Sequence, residues 1–165
     1  MVTAAERQLA AASFLYDEAA LLDAHRHREW LELLSPLLVY EAPVRVVLSR
    51  REPTDQGGFG HFFRETKESL AVRVDRLYSG HANADEPLWL TRRMVSNVQV
   101  RDDRGLELDV RSNVLLFRCN AATPTFLCAE RLDTLQSEGR AWLLLRRTLL
   151  LSHAVLPGPD LPVFM

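Results

Sequence analysis

The sequence predicts an α+β fold in which a curved, mostly antiparallel sheet wraps around N-terminal helices. Two observations lead to this prediction. Apolar residues recur at helical spacing near the start of the chain, whereas from Leu88 onward they alternate with polar residues at the period of two typical of half-buried strands. Helices followed by a run of long strands indicate the α+β class, and a sheet that curls around the helices lets both bury their apolar faces in one core.

Two helices are expected first. From Thr3 to about His25, apolar residues spaced 3-4-3 form one stripe that would face the core. A short second helix is expected from about Arg28 to Leu34, because Pro36 pushes the residue before it out of the helical region. The stripe of the first helix consists of Ala12, Leu15, Ala19 and Leu22, and its surface positions include Asp17, Glu18 and Asp23.

The middle of the chain is expected to hold a strand, a loop and a helix. Residues 37–49 are rich in β-branched side chains and predict a strand that is interrupted at Pro43, because proline cannot donate to a strand ladder. Residues 52–60 (EPTDQGGFG) have the composition of a loop. Helical spacing returns from His61 to Gly80, and the predicted buried stripe is Phe63, Leu70, Val74 and Leu77.

Four long strands are expected from Leu88 to Leu151, joined in a meander. Turns are predicted at residues 102–105 (DDRG), 120–125 (NAATPT) and 137–140 (SEGR). In the first strand, one face would carry Met94, Val98 and Val100 and the other would carry Val95, Asn97 and Gln99. In the second strand, the buried face would consist of Leu106, Leu108, Val110, Val114 and Leu116.

Composition limits the class of protein and its partners. With 165 residues, of which 47% are hydrophobic and 25% charged, the chain is expected to form a single domain over residues 1–165. The net charge is −2 and no five like charges are consecutive, so neither nucleic acid nor a membrane surface is an expected partner. Glu6 and Arg7 lie where a signal peptide would be apolar, and two cysteines are too few for a secreted disulfide framework. A cytoplasmic protein is expected.

Two histidines in the stretch DAHRHREWLELL (residues 23–34) raise the question of a metal site. On a continuous helix, the side chains of His25 and His27 would point about 200° apart and could not share an ion. A bend between two helices would instead let them converge. The favoured interpretation is a solvated surface, followed by a polar pocket lining and then by a metal site.

Other motifs that carry chemistry are missing from the sequence. A Rieske cluster requires Cys-x-His and Cys-x-x-His pairs, and neither Cys119 nor Cys128 is followed by such a histidine. There is no G-x-S-x-G elbow, and Ser152 and His153 would point to opposite faces of a strand. The chain is therefore expected to have no catalytic, cofactor-binding or metal-binding residues.

The stretch TRRMVSNVQV (residues 91–100) admits two interpretations. On chemistry alone, a half-buried strand with salt bridges is favoured. The alternative is a protein interface, because guanidinium groups are enriched in such surfaces.

Three segments resemble the β (small) subunit of aromatic-ring-hydroxylating dioxygenases, and they occur in that family's order. Residues 14–45 are similar to its opening, with a Tyr-x-Glu-Ala helix, Leu-Leu-Asp, Glu-Trp-Leu and Pro-x-Arg. Residues 91–100 match its Thr-Arg-Arg…Ser-Asn-Val segment, and residues 139–165 match its last strand and the apolar-Phe pair that follows. Residues 87–93 (PLWLTRR) depart from the family, which has Pro-x-Ser-Arg before this segment.

The resemblance implies the cone-like fold of nuclear transport factor two and scytalone dehydratase. It implies a non-catalytic structural subunit of a multicomponent enzyme that converts an aromatic compound to a cis-dihydrodiol. This chain would associate as a trimer and join a large α subunit in a three-α three-β assembly. The α subunit would carry a Rieske two-iron two-sulfur cluster and a mononuclear non-haem iron, and NADH would supply electrons through a reductase. The expected subunit-interface residues are Arg92, Arg93, Asn97 and Phe164, and charge reversal at Arg93 is expected to weaken assembly more than folding.

Two alternatives are open. A stand-alone isomerase, dehydratase or cyclase on the same fold would use the cone interior as a pocket, with Asp23, His25 or Tyr40 as acid or base. A pocket filled by large side chains would argue against it. A small-ligand binding module would have an open apolar pocket instead.

Overall fold

The computed structural model describes residues 2–44, 60–79, 90–120, 123–139, 141–152 and 164–165. Within these ranges, six strands form one sheet in the order β2-β1-β6-β5-β4-β3. All neighbouring strands are antiparallel except β1 and β6, which are parallel. The α+β class and the mostly antiparallel sheet are thus confirmed. The elements are α1 (Ala4–Asp23), α2 (His27–Glu32), β1 (Leu34–Pro43), β2 (His61–Glu65), α3 (Lys67–Tyr78), β3 (Leu90–Asp103), β4 (Glu107–Asn120), β5 (Thr123–Glu138) and β6 (Ala141–Leu151).

Helix α1 begins at a capping box and lies across the inner face of the sheet. The Thr3 hydroxyl accepts a hydrogen bond from the Glu6 amide at 3.2 Å, and the Glu6 carboxylate accepts one from the Thr3 amide at 2.7 Å. The Gln8 side chain then bridges to β3, donating to the Val98 carbonyl at 2.8 Å and accepting from the Val100 amide at 3.0 Å. These two bonds satisfy backbone groups of β3, which is an edge strand of the sheet.

Helix α2 ends two residues earlier than predicted. The Leu33 carbonyl accepts a hydrogen bond from the Leu144 amide at 2.8 Å, so the chain joins β6 before it reaches Pro36. Pro36 lies inside β1, where the register with β6 shifts between Leu34 and Val39. The predicted interruption at Pro43 is confirmed, because β1 ends there and its register with β2 shifts at that residue.

The prediction of one helix from His61 to Gly80 is wrong for its first part. Residues 61–65 form β2, which pairs with β1 and stacks the Phe63 ring on Tyr40 at a centroid distance of 5.6 Å. The Thr66 hydroxyl caps α3 by accepting from the Ser69 amide at 3.3 Å, so the helix starts only at residue 67. Leu70 and Val74 are buried as predicted, whereas Leu77 is largely exposed. The predicted loop at residues 52–60 lies almost entirely outside the described residues.

The four-stranded meander is confirmed, but the predicted faces of β3 are wrong. Asn97 adopts a left-handed backbone conformation with φ of 52°. Between Ser96 and Gln99, β3 has one residue more than the facing part of β4, which is a β-bulge. This bulge reverses the alternation, so that Val95 packs on the core together with Val98 and Val100. Asparagine tolerates the left-handed region better than most residues do.

The core lies between the inner face of the sheet and the three helices. In β4 the predicted buried face is confirmed from Leu108 to Leu116, whereas Leu106 is exposed because it belongs to the turn before the strand. The largest fully buried side chains include two arginines, which is unusual for a core of this size. These large buried side chains include Trp30, Arg131, Arg147, Tyr40, Leu15, Leu22, Leu34 and Leu38.

Candidate functional site

An ion network lies in the interior of the cone among apolar side chains. Arg147 lies at its centre, with Nη1 and Nη2 donating to the two carboxylate oxygens of Glu18 at 2.7 and 2.8 Å. The same guanidinium donates from Nε and Nη2 to the two oxygens of Asp133, both at 2.8 Å. Arg131 completes the network, with Nη1 3.4 Å from Glu18 Oε2. The four side chains carry two positive and two negative charges, so the buried network is neutral.

The network is tied to its surroundings by neutral donors and acceptors. The Trp30 indole donates from Nε1 to Glu18 Oε1 at 3.1 Å, and Arg131 donates from Nε to the Ser112 hydroxyl at 3.0 Å. Burial raises the pKa of the Glu18 carboxyl, but the charges of Arg147 and Arg131 outweigh that effect and the pKa falls below its ordinary value. The Glu18 side chain is therefore ionised and fully engaged at neutral pH.

Strand register and helix spacing bring these four side chains together. Asp133 of β5 lies directly opposite Arg147 of β6, and Arg131 precedes Asp133 by two residues on the same inner face. Glu18 lies on the buried stripe of α1, four residues after Phe14, so the prediction that it lies on the surface is wrong.

A second ion pair joins α1 to β3. Arg93 pairs through Nη1 with Asp23 Oδ1 at 2.5 Å, and the Arg93 amide donates to Asp23 Oδ2 at 2.8 Å. The Thr91 hydroxyl also donates to Asp23, at 3.2 Å. The Arg93 side chain is only 5% exposed. Its burial lowers its pKa, and the Asp23 carboxylate acts in the opposite direction.

Phe164 and Met165, here called the plug, lie in the cone between these two clusters. Arg93 donates from Nε and Nη2 to the Phe164 carbonyl at 3.2 and 2.6 Å. The Tyr40 hydroxyl donates to the Met165 carbonyl and accepts from the Met165 amide, both at 2.9 Å. Arg147 adds a donor from Nη1 to the same Met165 carbonyl at 2.9 Å. Met165 is completely buried.

His25 and His27 converge because α1 and α2 are separate helices. His25 lies in the bend with φ of 56°, and the two imidazole centroids are 5.7 Å apart. The Tyr78 hydroxyl donates to the His25 carbonyl at 2.7 Å, so His27 Nδ1 must donate to the Tyr78 oxygen at 3.2 Å. No group of three metal-ligating side chains occurs among the residues that the structure describes, and two histidines alone do not fit a metal centre.

The environment of His27 predicts a pH-dependent stability. Burial and then the charges of His25 and Arg93 lower the pKa of His27 to about 4. Between about pH 6.5 and pH 4 the unfolded chain therefore binds more protons at this residue than the folded chain. Stability is expected to fall by about 2 kcal/mol as the pH decreases through this window, after allowance for partial solvent exposure. Urea unfolding at several pH values measures this loss.

A His27→Gln variant is expected to have a free energy of unfolding that depends less on pH in this window, since glutamine does not titrate. A His61→Gln variant is the matched control, because His61 lies on β2 beside Glu41 and away from His27, and it should leave the part of the slope that His27 causes in place. Equal slopes for the wild type and His27→Gln would refute the assignment.

The structure places the predicted pocket residues Asp23, His25 and Tyr40 in or beside the interior of the cone. The side chains of Asp23 and Tyr40 already have hydrogen-bond partners there. Asp23 is paired with Arg93, the Tyr40 hydroxyl is bound to Met165, and His25 lies half-buried in the bend. Burial raises the pKa of Tyr40, which keeps its hydroxyl neutral. Among the residues that the structure describes, the interior beside these three is filled by large side chains such as Trp30 and Arg147, and this argues against that alternative.

The four predicted interface residues divide into two pairs. Arg93 and Phe164 point into the cone, whereas Arg92 and Asn97 lie on the outer face of the sheet. That these residues contact a partner stays a prediction. Beside Asn97, a polar depression of about 210 Å³ is lined by Asn97, Gln99, Arg111 and Asn113.

The outer face of β3, β4 and β5 also exposes apolar side chains in register. Arg92 lies opposite Phe117, which lies opposite Phe126, and the two rings are 5.4 Å apart. Met94 lies beside this row; it is 50% exposed, and Phe126 is 52% exposed. Contiguous exposed apolar groups on a sheet face are typical of a surface that another chain covers.

The open, curved sheet around the helices defines a cone-shaped α+β protein of the nuclear transport factor two and scytalone dehydratase type. A protein of Novosphingobium aromaticivorans assigned as a scytalone dehydratase superposes with a TM-score of 0.66 at 18% identity, over 89% of this chain and 85% of that one. Among the helices that the structure describes, none has the length and apolarity needed to cross a bilayer.

Within that class, the chain belongs to the family of ring hydroxylating β subunits, whose pattern matches residues 17–158. It is 35% identical to the β subunit of 3-phenylpropionate/cinnamic acid dioxygenase from Photorhabdus laumondii subsp. laumondii, over 91% of this chain and 87% of the relative. It also superposes on a chain of naphthalene 1,2-dioxygenase with indole bound in the active site, with a TM-score of 0.83 at 26% identity, covering 96% of this chain and 85% of the other. The chain is thus a β subunit of a ring-hydroxylating dioxygenase, an oxidoreductase system, and this membership implies an α partner.

Proposed function

We propose that this chain is the structural small subunit of a dioxygenase that converts an aromatic compound to a cis-dihydrodiol, with all chemistry in the α subunit. One observation carries the proposal: the carboxylates and the phenol inside the cone, on Glu18, Asp133 and Tyr40, already have hydrogen-bond partners. Arg147 holds both Glu18 and Asp133, and Tyr40 holds the plug. General acid–base catalysis requires a group with a proton site free to reach a substrate.

The cofactors of the reaction belong to the partner in this proposal. The α subunit carries the Rieske two-iron two-sulfur cluster and the mononuclear non-haem iron, and electrons come from NADH through a reductase. The sequence supports this division, because neither Cys119 nor Cys128 has the histidine spacing of a Rieske site.

The proposed assembly is cytoplasmic and contains three α and three β subunits, with residues 1–165 of each β subunit as one domain. The β subunits associate as a trimer. The outer face of the sheet supports an interface role, because Arg92, Met94 and Phe126 present apolar and guanidinium groups side by side.

Native mass spectrometry of the purified chain, with and without its co-encoded large subunit, tests this function. We expect an iron-free β trimer that takes up three iron-bearing partners. A chain that ignores the large subunit under conditions in which both are folded would contradict the proposal. Iron that stays with the isolated β subunit would contradict the assignment of all cofactors to α.

A further inference from the structure

The plug is held by contacts of the kind that hold a bound ligand. Its two carbonyl oxygens receive four hydrogen bonds from guanidinium and phenol donors, two from Arg93, one from Tyr40 and one from Arg147. The donors come from β1, β3 and β6, so three strands converge on two consecutive residues. Hydrogen bonds from a charged guanidinium are stronger than those between neutral groups, so these donors hold the two carbonyls firmly.

The same site has an aromatic half. The Phe164 ring lies 4.7 Å from the Trp30 ring and 5.4 Å from the His27 ring, measured between centroids. Neither wall is free to move independently, because the Trp30 indole is bound to Glu18 and His27 is bound to Tyr78. Tilted aromatic contacts at these distances are favourable beyond the area that they bury.

Together the two halves define the kind of ligand that the site recognises. The group seen in the site is the phenylalanyl residue Phe164, whose ring and carbonyl are separated by two carbons. The aromatic walls hold its ring and Arg93 holds its carbonyl. A few directed polar groups beside apolar walls are the features of a small-molecule site.

We propose that the part of the cone interior lined by Trp30, His27 and Arg93 is a binding site for an aromatic ring with a nearby carbonyl group, and that Phe164 and Met165 are its built-in ligand. This part of the interior is thereby closed to free aromatic compounds as long as the plug is in place. This proposal does not depend on assembly with the α subunit, so it can fail or succeed separately from the proposed function.

The full chain with Phe164→Ala tests the aromatic half, with toluene as the probe. Loss of the ring should lower the melting temperature by roughly 10 °C, because it removes a packed aromatic side chain. Saturating toluene should then raise the melting temperature of Phe164→Ala by about 3 °C, since small apolar ligands enter engineered cavities. The wild-type chain should respond by less than about 1 °C, because its site is occupied.

Phe126→Ala is the matched control, because Phe126 packs its ring on Phe117 on the outer face and is 52% exposed. It should cost less stability and give no specific response to toluene. The NMR signal of the Trp30 indole N–H locates the probe, since it should shift with toluene in Phe164→Ala alone. If Phe164→Ala does not fold, Phe164→Val takes its place, with the same responses expected at smaller size. Equal stability losses for the two alanine variants, or equal toluene responses in all chains, would overturn the proposal.

Discussion

Replacing Glu18 by alanine is expected to lower the free energy of unfolding by about 3–5 kcal/mol, the range for removing one partner of a buried ion pair. Glu18 is the shared partner of Arg147 and Arg131, and all three side chains are almost completely buried. The substitution leaves a net positive charge in the core, and it also leaves the Trp30 indole N–H without its acceptor. Urea unfolding of the full chain at pH 7 measures the loss.

An exposed ion pair supplies the control for this prediction. Arg26 and Glu29 form a salt bridge on the surface of α2, and both side chains are about half exposed. Glu29→Ala should lower stability far less than Glu18→Ala, because water screens such exposed pairs. Comparable losses for Glu18→Ala and Glu29→Ala would show that the interior network contributes no more than a surface contact.

The ionisation of Glu18 makes the contribution of this network to the free energy of unfolding depend on pH. Because the folded-state pKa of Glu18 lies below its ordinary value, the stabilisation is present above that ordinary value of 4.5 and is lost as the pH falls below it. Glu18→Ala should therefore reduce the acid sensitivity below about pH 4.5, a range that lies mostly below the His27 window.

Periodicity predicted most of the fold because each long element buries only one face. The spacing of Leu15 and Leu22 defined α1, and the alternation from Leu108 to Leu116 defined β4. Periodicity failed where a tertiary contact overrides it. The bulge at Asn97 exchanges the two faces of β3, and the pairing of residues 61–65 with β1 makes a strand of a stretch whose apolar spacing also fits a helix.

The interior network was missed for a different reason. The charge of Glu18 predicts a surface position, although the residue lies three residues after Leu15 and four before Leu22, and thus on the buried stripe of α1. Its two arginine partners are more than 100 residues away in the sequence, and no local pattern predicts such pairing. The usable signal was the position of a charged residue within an apolar stripe, together with Arg131 and Asp133 on the inner face of β5.

Charge reversal of Arg93 is expected to damage folding, in contrast to the expectation from sequence that it would mainly weaken assembly. Glutamate at this position would face the Asp23 carboxylate, and it would remove two donors from the Phe164 carbonyl. The Arg93 side chain is 5% exposed, so little water is available to screen the repulsion. We expect a loss of about 3–5 kcal/mol in the urea unfolding of the isolated chain.

Arg92→Glu is the matched variant, because the neighbouring side chain carries the same charge but points outward from the same strand. Its effect on unfolding should be within about 0.5 kcal/mol, as for most surface substitutions. The pair separates folding from assembly: Arg93→Glu should lose stability as a free chain, whereas an effect of Arg92→Glu should appear only when the large subunit is present. If Arg93→Glu unfolds like the wild type and yet fails to join the complex, its guanidinium contacts the partner, and the inward position of this side chain does not persist in the assembly.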